Sequence, residues 1–209
     1  MKQTLRAWLG PAIGLGHSDP RVDYGGLYDD ELTGTARMRP ARRLEFTAGR
    51  HAARLALADM GQPPAPIPMG ADRAPIWPDG IVGSIAHCHT ACIAAVAPAG
   101  QRAGIGIDIE PAAPLPLEIW STVLTPAERN WLAAQPVARR GLLAQRIFVA
   151  KEATYKARYI DSGQMLTFQG VTIVLAPERF SAHFHTKTLH GRHGSVGGYI
   201  IAGLSVPAR

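Results

Sequence analysis

A charged segment inside an apolar helix constrains this sequence most. Residues 147–157 have helical periodicity and carry Glu152 between two lysines, Lys151 and Lys156. Residues four apart lie on one helix face, so Glu152 and Lys156 are expected to point the same way. Such a pair also stabilises an isolated helix slightly, which is its simplest interpretation. This segment alone therefore predicts a helix without predicting a chemistry.

Residues 104–110 have the two-residue alternation of a β-strand. Three isoleucines take one face, and Gly106, Asp108 and Glu110 take the other. Two carboxylates beside a residue without a side chain can hold a hard cation such as Mg²⁺. A strand whose outer face is only solvated has the same pattern, so the spacing leaves both interpretations open.

Together the two segments resemble the signature motifs of the 4′-phosphopantetheinyl transferases, G-[IV]-D-[IL]-E and [FW]-x-x-K-E-[AS]-x-x-K. The first motif is complete at residues 106–110 and the second at residues 148–156. The resemblance implies an enzyme that transfers the 4′-phosphopantetheine arm of coenzyme A to a serine of a carrier protein and releases 3′,5′-ADP. It also implies a bound Mg²⁺, or Mn²⁺ in its place, with Asp108, Glu110 and Glu152 as ligands.

The resemblance assigns further roles to the same residues. Asp108, Glu152 and Lys156 are the expected catalytic residues. Glu152 is expected to be a metal ligand, the base for the incoming serine, or both, and the sequence does not decide between these roles. Either Lys151 or Lys156 is expected to neutralise the coenzyme A pyrophosphate, and the family pattern favours Lys156.

Residues 37–60 have the pattern of an amphipathic helix with a solvated arginine face. Within them, residues 42–54 are similar to the R-x-x-E-F-x-x-G-R-x-x-A-R block of the longer transferases, the group similar to enterobactin synthetase component D. Basic residues of that block grip the 3′-phosphate of coenzyme A in the group. The resemblance therefore implies that role for Arg42 and Arg50, and also for Arg54.

Two later segments add to the expected coenzyme A site. Residues 62–80 are rich in proline and are predicted to form an extended loop, which resembles the adenine-side loop of the same group. The family often has a lysine where this chain has Met69, and Arg73 is the candidate substitute. Ser84 and His87 belong to a block similar to S-[IL]-[ST]-H-C, whose histidine contacts coenzyme A phosphates.

The run His87-Cys88-His89-x-x-Cys92 also contains the residue types that bind zinc. On a strand, His87 and Cys88 face opposite sides, so four ligands would converge poorly. We therefore expect no zinc site here. A hydrogen-bonded core histidine is the alternative to a coenzyme A contact for His87.

The expected fold class is α+β, with two similar α/β lobes related by a pseudo-twofold axis and the active site in the cleft between them. The N-terminal lobe is predicted at 1–102, on the 3′-phosphate and adenine side, and the C-terminal lobe at 103–209, with the metal and catalytic motifs. A capping box at Thr125 and Glu128 predicts a helix start. The other predicted elements are a strand at 5–9, two strands within 82–97, a helix at 142–159 and closing strands at 171–175, 180–185 and 198–204.

The composition is that of an ordinary globular protein of 209 residues, with 46% hydrophobic and 18% charged residues. A net charge of +6 indicates an anionic partner, for which a phosphorylated cofactor, an acidic protein and nucleic acid all qualify. No apolar run is long enough to span a membrane, and the N-terminus does not resemble a signal peptide. The cysteines, Cys88 and Cys92, are too few for a disulfide framework, so we expect a cytoplasmic protein.

The resemblance implies an apo acyl or peptidyl carrier protein and coenzyme A as partners of a monomeric enzyme, without a nucleic acid or membrane partner. Two other functions stay open on the residues alone. One is another magnesium-dependent nucleotide phosphotransferase or hydrolase, although the sequence has no P-loop or dinucleotide glycine motif. The other is a basic nucleic-acid-binding module, although only 7% of the residues are aromatic.

Overall fold

The computed structural model describes residues 1–162 and 167–208. Helices and antiparallel strands are mixed along the chain, and short 3₁₀ helices at Leu117–Ile119 and Phe168–Gly170 join some of them. The elements in chain order are α1 (Lys2–Leu9), β1 (Gly14–Ser18), α2 (Asp29–Leu32), α3 (Pro40–Asp59), β2 (Ile81–His87), β3 (Cys92–Pro98), β4 (Arg102–Pro111), α4 (Trp120–Val123), α5 (Pro126–Ala133), α6 (Val137–Ser162), β5 (Thr172–Ala176), β6 (Arg179–Phe184), β7 (Lys187–Val196) and β8 (Tyr199–Pro207).

The strands form two antiparallel sheets with matching topology. The smaller sheet has the order β1-β3-β2, and the larger has the order β4-β8-β7-β6-β5. The chain therefore contains two repeats, each made of a strand, a long helix and a hairpin. The first repeat has β1, α3 and the β2–β3 hairpin, and the second has β4, α6 and the β7–β8 hairpin. The β5–β6 hairpin is an addition to the second repeat. This topology confirms the predicted α+β fold with two similar lobes.

Three apolar clusters arrange these elements in layers. One cluster lies between the two sheets and contains the isoleucines of β4 together with Leu5 and Leu9 of α1. A second lies between the smaller sheet and α3, and a third lies between the larger sheet and α6. The layers therefore run helix, sheet, sheet, helix. Asp108 and Glu110 alternate with the isoleucines along β4 and so face α6, as the strand pattern predicts.

Glycines let each long helix lie directly on the first strand of its repeat. A Cβ at Gly106 would lie 1.9 Å from the backbone oxygen of Ala153, so no larger residue fits without displacing the helix. Gly104 faces Ala157 in the same way, at 2.1 Å. The first repeat has the same register, with Gly14 against Ala56 and Gly16 against Ala52.

The structure corrects some of the predicted elements. Residues 5–9 belong to α1 and not to a strand, because Leu5 and Leu9 lie one turn apart and are both buried between the sheets. Strand β7 was not predicted, since its exposed polar residues hide the alternation. The Thr125–Glu128 capping box is present, and α6 begins five residues before its predicted start. None of the described helices is long and apolar enough to cross a bilayer.

Candidate active site

A cavity of about 820 Å³ lies between the two lobes. The first lobe contributes residues of β2 and the loop of residues 70–77. The second lobe contributes one face of α6, with Tyr155, Lys156 and Tyr159. A volume of this size suits a cofactor-sized ligand. The cleft predicted between the lobes is therefore present as a lined cavity.

Four ionisable side chains from β4 and α6 lie close to one another, and one of them, Lys156, lines this cavity. Lys156 Nζ donates a hydrogen bond to Asp108 Oδ1 at 2.6 Å. Glu110 and Glu152 are close enough to interact electrostatically with both of these groups. The two motifs meet because Gly106 brings β4 directly beneath Ala153, one residue from Glu152.

Negative charge exceeds positive charge in this group, which we term the acidic cluster (Asp108, Glu110, Glu152 and Lys156). Burial raises the pKa of Asp108 and of Glu152, and it raises that of Glu110 to about 7 with a further contribution from Asp108. Burial alone would lower the pKa of Lys156, but Asp108 and Glu152 more than offset this and the pKa is raised. Lys156 therefore stays protonated near neutral pH, and the three carboxyl groups compete for one cation.

The acidic cluster contains the carboxylate ligands that a magnesium site needs, but they are not arranged around one point. Asp108 is 4% exposed, and its Oδ2 has no hydrogen-bond partner among the described residues. Carboxylate oxygens are the ligands that Mg²⁺ prefers, so this oxygen and the two glutamates fit the ion. However, no three His, Cys, Asp or Glu side chains form a ready metal-binding group in the described part of the chain. Lys156 occupies the other oxygen of Asp108.

A smaller basic cavity of about 130 Å³ adjoins the large one, and Arg73, Pro75 and Ile85 line both. We term it the basic pocket. Its other charged lining residues are Arg42, Glu45, Arg50 and His87. Three arginines and one histidine face a single carboxylate, so the pocket favours an anion.

Arg42 and His87 form the open side of the basic pocket. Arg42 Nη1 donates to Glu45 Oε2 at 2.9 Å and approaches His87 Nε2 at 2.8 Å. A guanidinium cannot accept a proton, so Nε2 accepts and the proton of the neutral ring is on Nδ1. Burial lowers the pKa of His87, although Glu45 acts in the opposite direction. His87 is therefore not an isolated core histidine but part of a charged group.

Arg50 forms the base of the basic pocket. Its guanidinium lies 3.9 Å from the centre of the Phe46 ring and donates to the backbone oxygen of Ile67 at 2.7 Å. Burial lowers its pKa to about 10, so it remains charged at neutral pH. The contacts with Phe46 and Ile67 fix the guanidinium in place while it lines the pocket.

Arg54 does not line either described cavity, which disagrees with its predicted contact with coenzyme A. Its Nη1 donates to both carboxylate oxygens of Glu31 at 2.9 Å, and Nη2 donates to Gly26. Glu31 is fully buried and also accepts a hydrogen bond from the Ile67 amide. Arg54 therefore ties α2 and the loop that precedes it to α3.

Lys151 also faces away from the cavity, contrary to its predicted role beside the pyrophosphate. It is 2% exposed, and Nζ lies 2.8 Å from Glu128 and donates to the backbone oxygens of Val123 and Phe168. Five residues along a helix turn the side chain by about 140°, so Lys151 and Lys156 take different faces. Ser84 is among the residues that line the cavity, and its hydroxyl accepts a hydrogen bond from the Ile107 amide at 3.2 Å.

Sequence reasoning missed several polar and aromatic residues of the cavities. Tyr155 and Tyr159 line the large cavity one helical turn apart, a spacing that was visible in the sequence. Glu45 and Asp72 were not singled out because isolated acidic residues carry no pattern. Cys88 and Cys92 are buried free thiols, and His87 Nε2 lies 2.8 Å from Arg42 Nη1.

Comparisons with known proteins identify the family. The model of the 4′-phosphopantetheinyl transferase N-terminal domain matches residues 30–97, and that of the 4′-phosphopantetheinyl transferase superfamily matches residues 104–202. The chain is similar to the 4′-phosphopantetheinyl transferase Npt of Nocardia iowensis, with 44% identity over 71% of this chain and 66% of Npt. It is 36% identical to enterobactin synthase component D of Escherichia coli, over 70% of this chain and 73% of that protein.

The alignment with Npt thus spans just under two thirds of that relative's length. Among solved structures, the holo-(acyl-carrier-protein) synthase of Bacillus anthracis in complex with CoA (3′,5′-ADP) is 20% identical. Its TM-score is 0.41 over 52% of this chain and 99% of that one. The two family models and the similarity to enterobactin synthase component D show that the chain belongs to the 4′-phosphopantetheinyl transferase superfamily, as one of its longer members.

Proposed function

We propose that this protein transfers the 4′-phosphopantetheine arm of coenzyme A to a serine of an acyl or peptidyl carrier protein. One observation carries the proposal: the acidic cluster and the basic pocket adjoin a single cavity of about 820 Å³. Coenzyme A needs both kinds of site, because it is an anion whose pyrophosphate reacts at a distance from its 3′-phosphate. Membership of the family supports the same activity.

Arg42, Arg50 and His87 would hold the 3′-phosphate in the basic pocket. Arginine suits this role because its planar group donates two hydrogen bonds at once to phosphate. Arg73 lies at the junction of the two cavities and would contact the phosphates from the loop side. These contacts would fix the reacting pyrophosphate near Lys156, and phosphoryl transfer depends mainly on such positioning and on charge stabilisation.

In the reaction, the serine oxygen of the carrier attacks the β-phosphorus of coenzyme A. A phosphorus–oxygen bond forms there, the bond to the bridging oxygen of the pyrophosphate breaks, and 3′,5′-ADP leaves. We assign the serine proton to Glu152, because it is a carboxyl group close to Lys156 and Asp108, and burial raises its pKa in the metal-free protein. Lys156 keeps its proton and faces the negative charge that builds on the pyrophosphate.

Asp108, Glu110 and Glu152 would hold Mg²⁺ in this proposal. Bound there, Mg²⁺ would neutralise charge on the pyrophosphate oxygens. The unpartnered Oδ2 of Asp108 and the raised pKa values of the three carboxyl groups support a cation at this point. Glu152 serves as both ligand and base only if the two roles use different oxygens.

The partners follow from the same surface chemistry. An acidic carrier protein complements a chain with a net charge of +6. We expect the enzyme to act as a monomer, because both walls of the cavity come from one chain. The free thiols of Cys88 and Cys92 fit the reducing cytoplasm.

Incubation with coenzyme A, Mg²⁺ and an apo carrier domain tests the proposal directly. The carrier should gain about 340 Da, the formula mass of the phosphopantetheine group, in a mass spectrum. Release of 3′,5′-ADP without any gain in carrier mass would favour a nucleotide hydrolase. Retention of DNA or RNA with neither activity would favour a nucleic-acid-binding module.

Asp108→Asn tests the acidic cluster, since it removes the charge and keeps the shape. The initial rate of carrier modification should fall by about a thousandfold, because the variant loses an anionic oxygen at the reacting centre. Asp30→Asn is the matched control, because it makes the same chemical change at an exposed position of α2. Equal rates for the Asp108→Asn variant and the wild type would contradict the assignment of the acidic cluster.

A further inference from the structure

One contact joins the two lobes across the large cavity. The hydroxyl of Tyr159, on α6, donates a hydrogen bond to Oδ2 of Asp72, in the loop of residues 70–77. Both residues line the cavity, together with Arg73. We term this contact the latch. It falls outside the two sequence motifs and outside the roles proposed above for coenzyme A.

The loop that receives the latch is ordered by its own hydrogen bonds. The Arg73 amide donates to the Gly70 oxygen at 2.9 Å, and the Gly70 amide donates to the Ala74 oxygen at 2.8 Å. The Ala74 amide donates to the other oxygen of Asp72 at 3.0 Å. Asp72 therefore uses one oxygen for the loop and the other for α6, so a single carboxylate connects them.

Arg73 has a backbone conformation that such a loop must enforce. Its φ is +70°, in the left-handed region that residues with a side chain adopt infrequently. Strained residues of this kind persist where the surrounding structure holds them, and they occur often at ligand sites. Arg73 lines both the large cavity and the basic pocket, so the loop holds this residue where the two cavities meet.

We propose that Tyr159 and Asp72 are positioning residues, which hold Arg73 at the junction of the two cavities so that it contacts the phosphates of coenzyme A. The proposal rests on the function proposed above. Neither residue needs to contact the ligand, since each acts through the loop. The hydrogen bond lowers the pKa of Asp72 and raises that of Tyr159 to about 12, so the carboxylate acceptor and the phenol donor are both retained at neutral pH.

Tyr159→Phe removes the donor and leaves the ring in the cavity wall. The dissociation constant of 3′,5′-ADP, measured by calorimetry, and the KM for coenzyme A should both rise about fivefold. The kcat should stay within about twofold, because the residues at the reacting phosphorus are unchanged. Asp72→Asn should weaken binding in the same direction, since a neutral amide replaces the charged acceptor while the turn keeps its Ala74 bond.

Tyr199→Phe is the matched control. Tyr199 also joins the lobes through its hydroxyl, which lies 2.8 Å from Thr90 Oγ1, but it lines neither of the two cavities. Loss of this bond should leave the affinity for 3′,5′-ADP unchanged. An equal loss of affinity for 3′,5′-ADP in the two Tyr→Phe variants would overturn the proposal. It would mean that binding depends on contacts between the lobes in general and not on the latch.

A double-mutant cycle tests whether the latch acts through Arg73. Tyr159→Phe should weaken 3′,5′-ADP binding about fivefold with Arg73 present and less than about twofold in the Arg73→Ala background. Equal effects in both backgrounds, or tighter binding after Tyr159→Phe, would overturn the inference. A wild-type protein that neither binds 3′,5′-ADP nor modifies a carrier would instead refute the proposed function. A wild type that does both and a variant that matches it would refute the latch alone.

Discussion

Two lysines of one helix have different tasks. Lys156 is bonded to Asp108 beside the cavity, whereas Lys151 is buried against Glu128 on another face of α6. The motif contains both residues, and its sequence does not reveal which of them faces the cavity. The difference depends on the packing of α5 and on the backbone oxygens that accept from Lys151.

Lys151→Met should therefore affect stability and not binding. Removing one partner of a buried ion pair leaves the other charge without compensation, so the free energy of unfolding in urea should fall by about 3 kcal/mol. The dissociation constant of 3′,5′-ADP should stay within about twofold, provided that the variant is assayed where it is folded. Lys187→Met is the control, because it makes the same chemical change at the exposed start of β7. Weaker ligand binding by Lys151→Met at unchanged stability would contradict this role.

The pKa of Glu110 predicts a dependence of stability on pH. Its ordinary value of 4.5 is raised to about 7 in the folded protein, mainly by burial. Below pH 4.5 the group is protonated in both states, so its effect on stability is fully favourable there. As the pH rises through 7, the folded state must ionise a group that it disfavours, and this stability is lost.

Glu110→Gln removes this penalty. In EDTA, the variant and the wild type should have the same free energy of unfolding near pH 4.5. At pH 8 the free energy of unfolding of the variant should be larger by about 2 kcal/mol. Denaturant titrations at several pH values measure the difference. The matched control is Glu118→Gln, which changes an exposed residue and should give a difference near zero throughout. If the free energies of unfolding of Glu110→Gln and the wild type differed by the same amount at every pH, the difference would not come from the ionisation of Glu110.

At the scale of elements, the approach of a helix to a strand builds the site. Gly106 lets α6 lie on β4 so closely that Glu152 and Lys156 reach the strand's carboxylates. Sequence alternation predicted which face of β4 carries those carboxylates. It could not predict the distance between strand and helix, since that distance depends on contacts between residues far apart in the chain.

Gly106→Ala tests this approach. The added Cβ would lie 1.9 Å from the Ala153 oxygen, so the helix must move, and the free energy of unfolding should fall by about 3 kcal/mol. Gly16→Ala should cost a similar amount, because the same contact occurs in the first repeat. Gly100→Ala is the control, since a Cβ there meets no atom within 4 Å. An unchanged unfolding midpoint in Gly106→Ala would contradict the close packing.

The errors in the predicted elements have physical causes. Residues 5–9 were predicted as a strand because a short apolar run has no distinct period, whereas tertiary packing of Leu5 and Leu9 selects a helix. Strand β7 lies largely exposed, so its partners in the sheet and not its own residues define it. Helix α3 was predicted well, because its apolar stripe is long and its end is marked by Gly61.

At the scale of the molecule, the two repeats share one arrangement of strand and helix but carry different functional side chains. The glycine register aligns Asp108 with Ser18 and Glu152 with His51, so the first repeat lacks the equivalent carboxylates. There, the Ser18 hydroxyl donates a hydrogen bond to the Ala48 oxygen. The His51 ring is stacked on the Tyr24 ring, with 4.1 Å between the ring centroids. The first repeat instead supplies the basic pocket and the loop of residues 70–77 that lines the cavity.

This division predicts a monomeric enzyme, because one chain already provides both the basic pocket and the acidic cluster. Light scattering after gel filtration should give the mass of one chain over a wide range of concentrations, and the rate of carrier modification should rise in proportion to enzyme concentration. If two chains had to combine, dilution would separate them and the specific rate would fall. Mixing Asp108→Asn with Arg42→Ala, two variants expected to modify the carrier slowly because each damages one half of the proposed site, supplies the control. Two chains that shared a cavity would restore activity by combining one intact half from each, whereas with a cavity built within one chain the mixture stays slow.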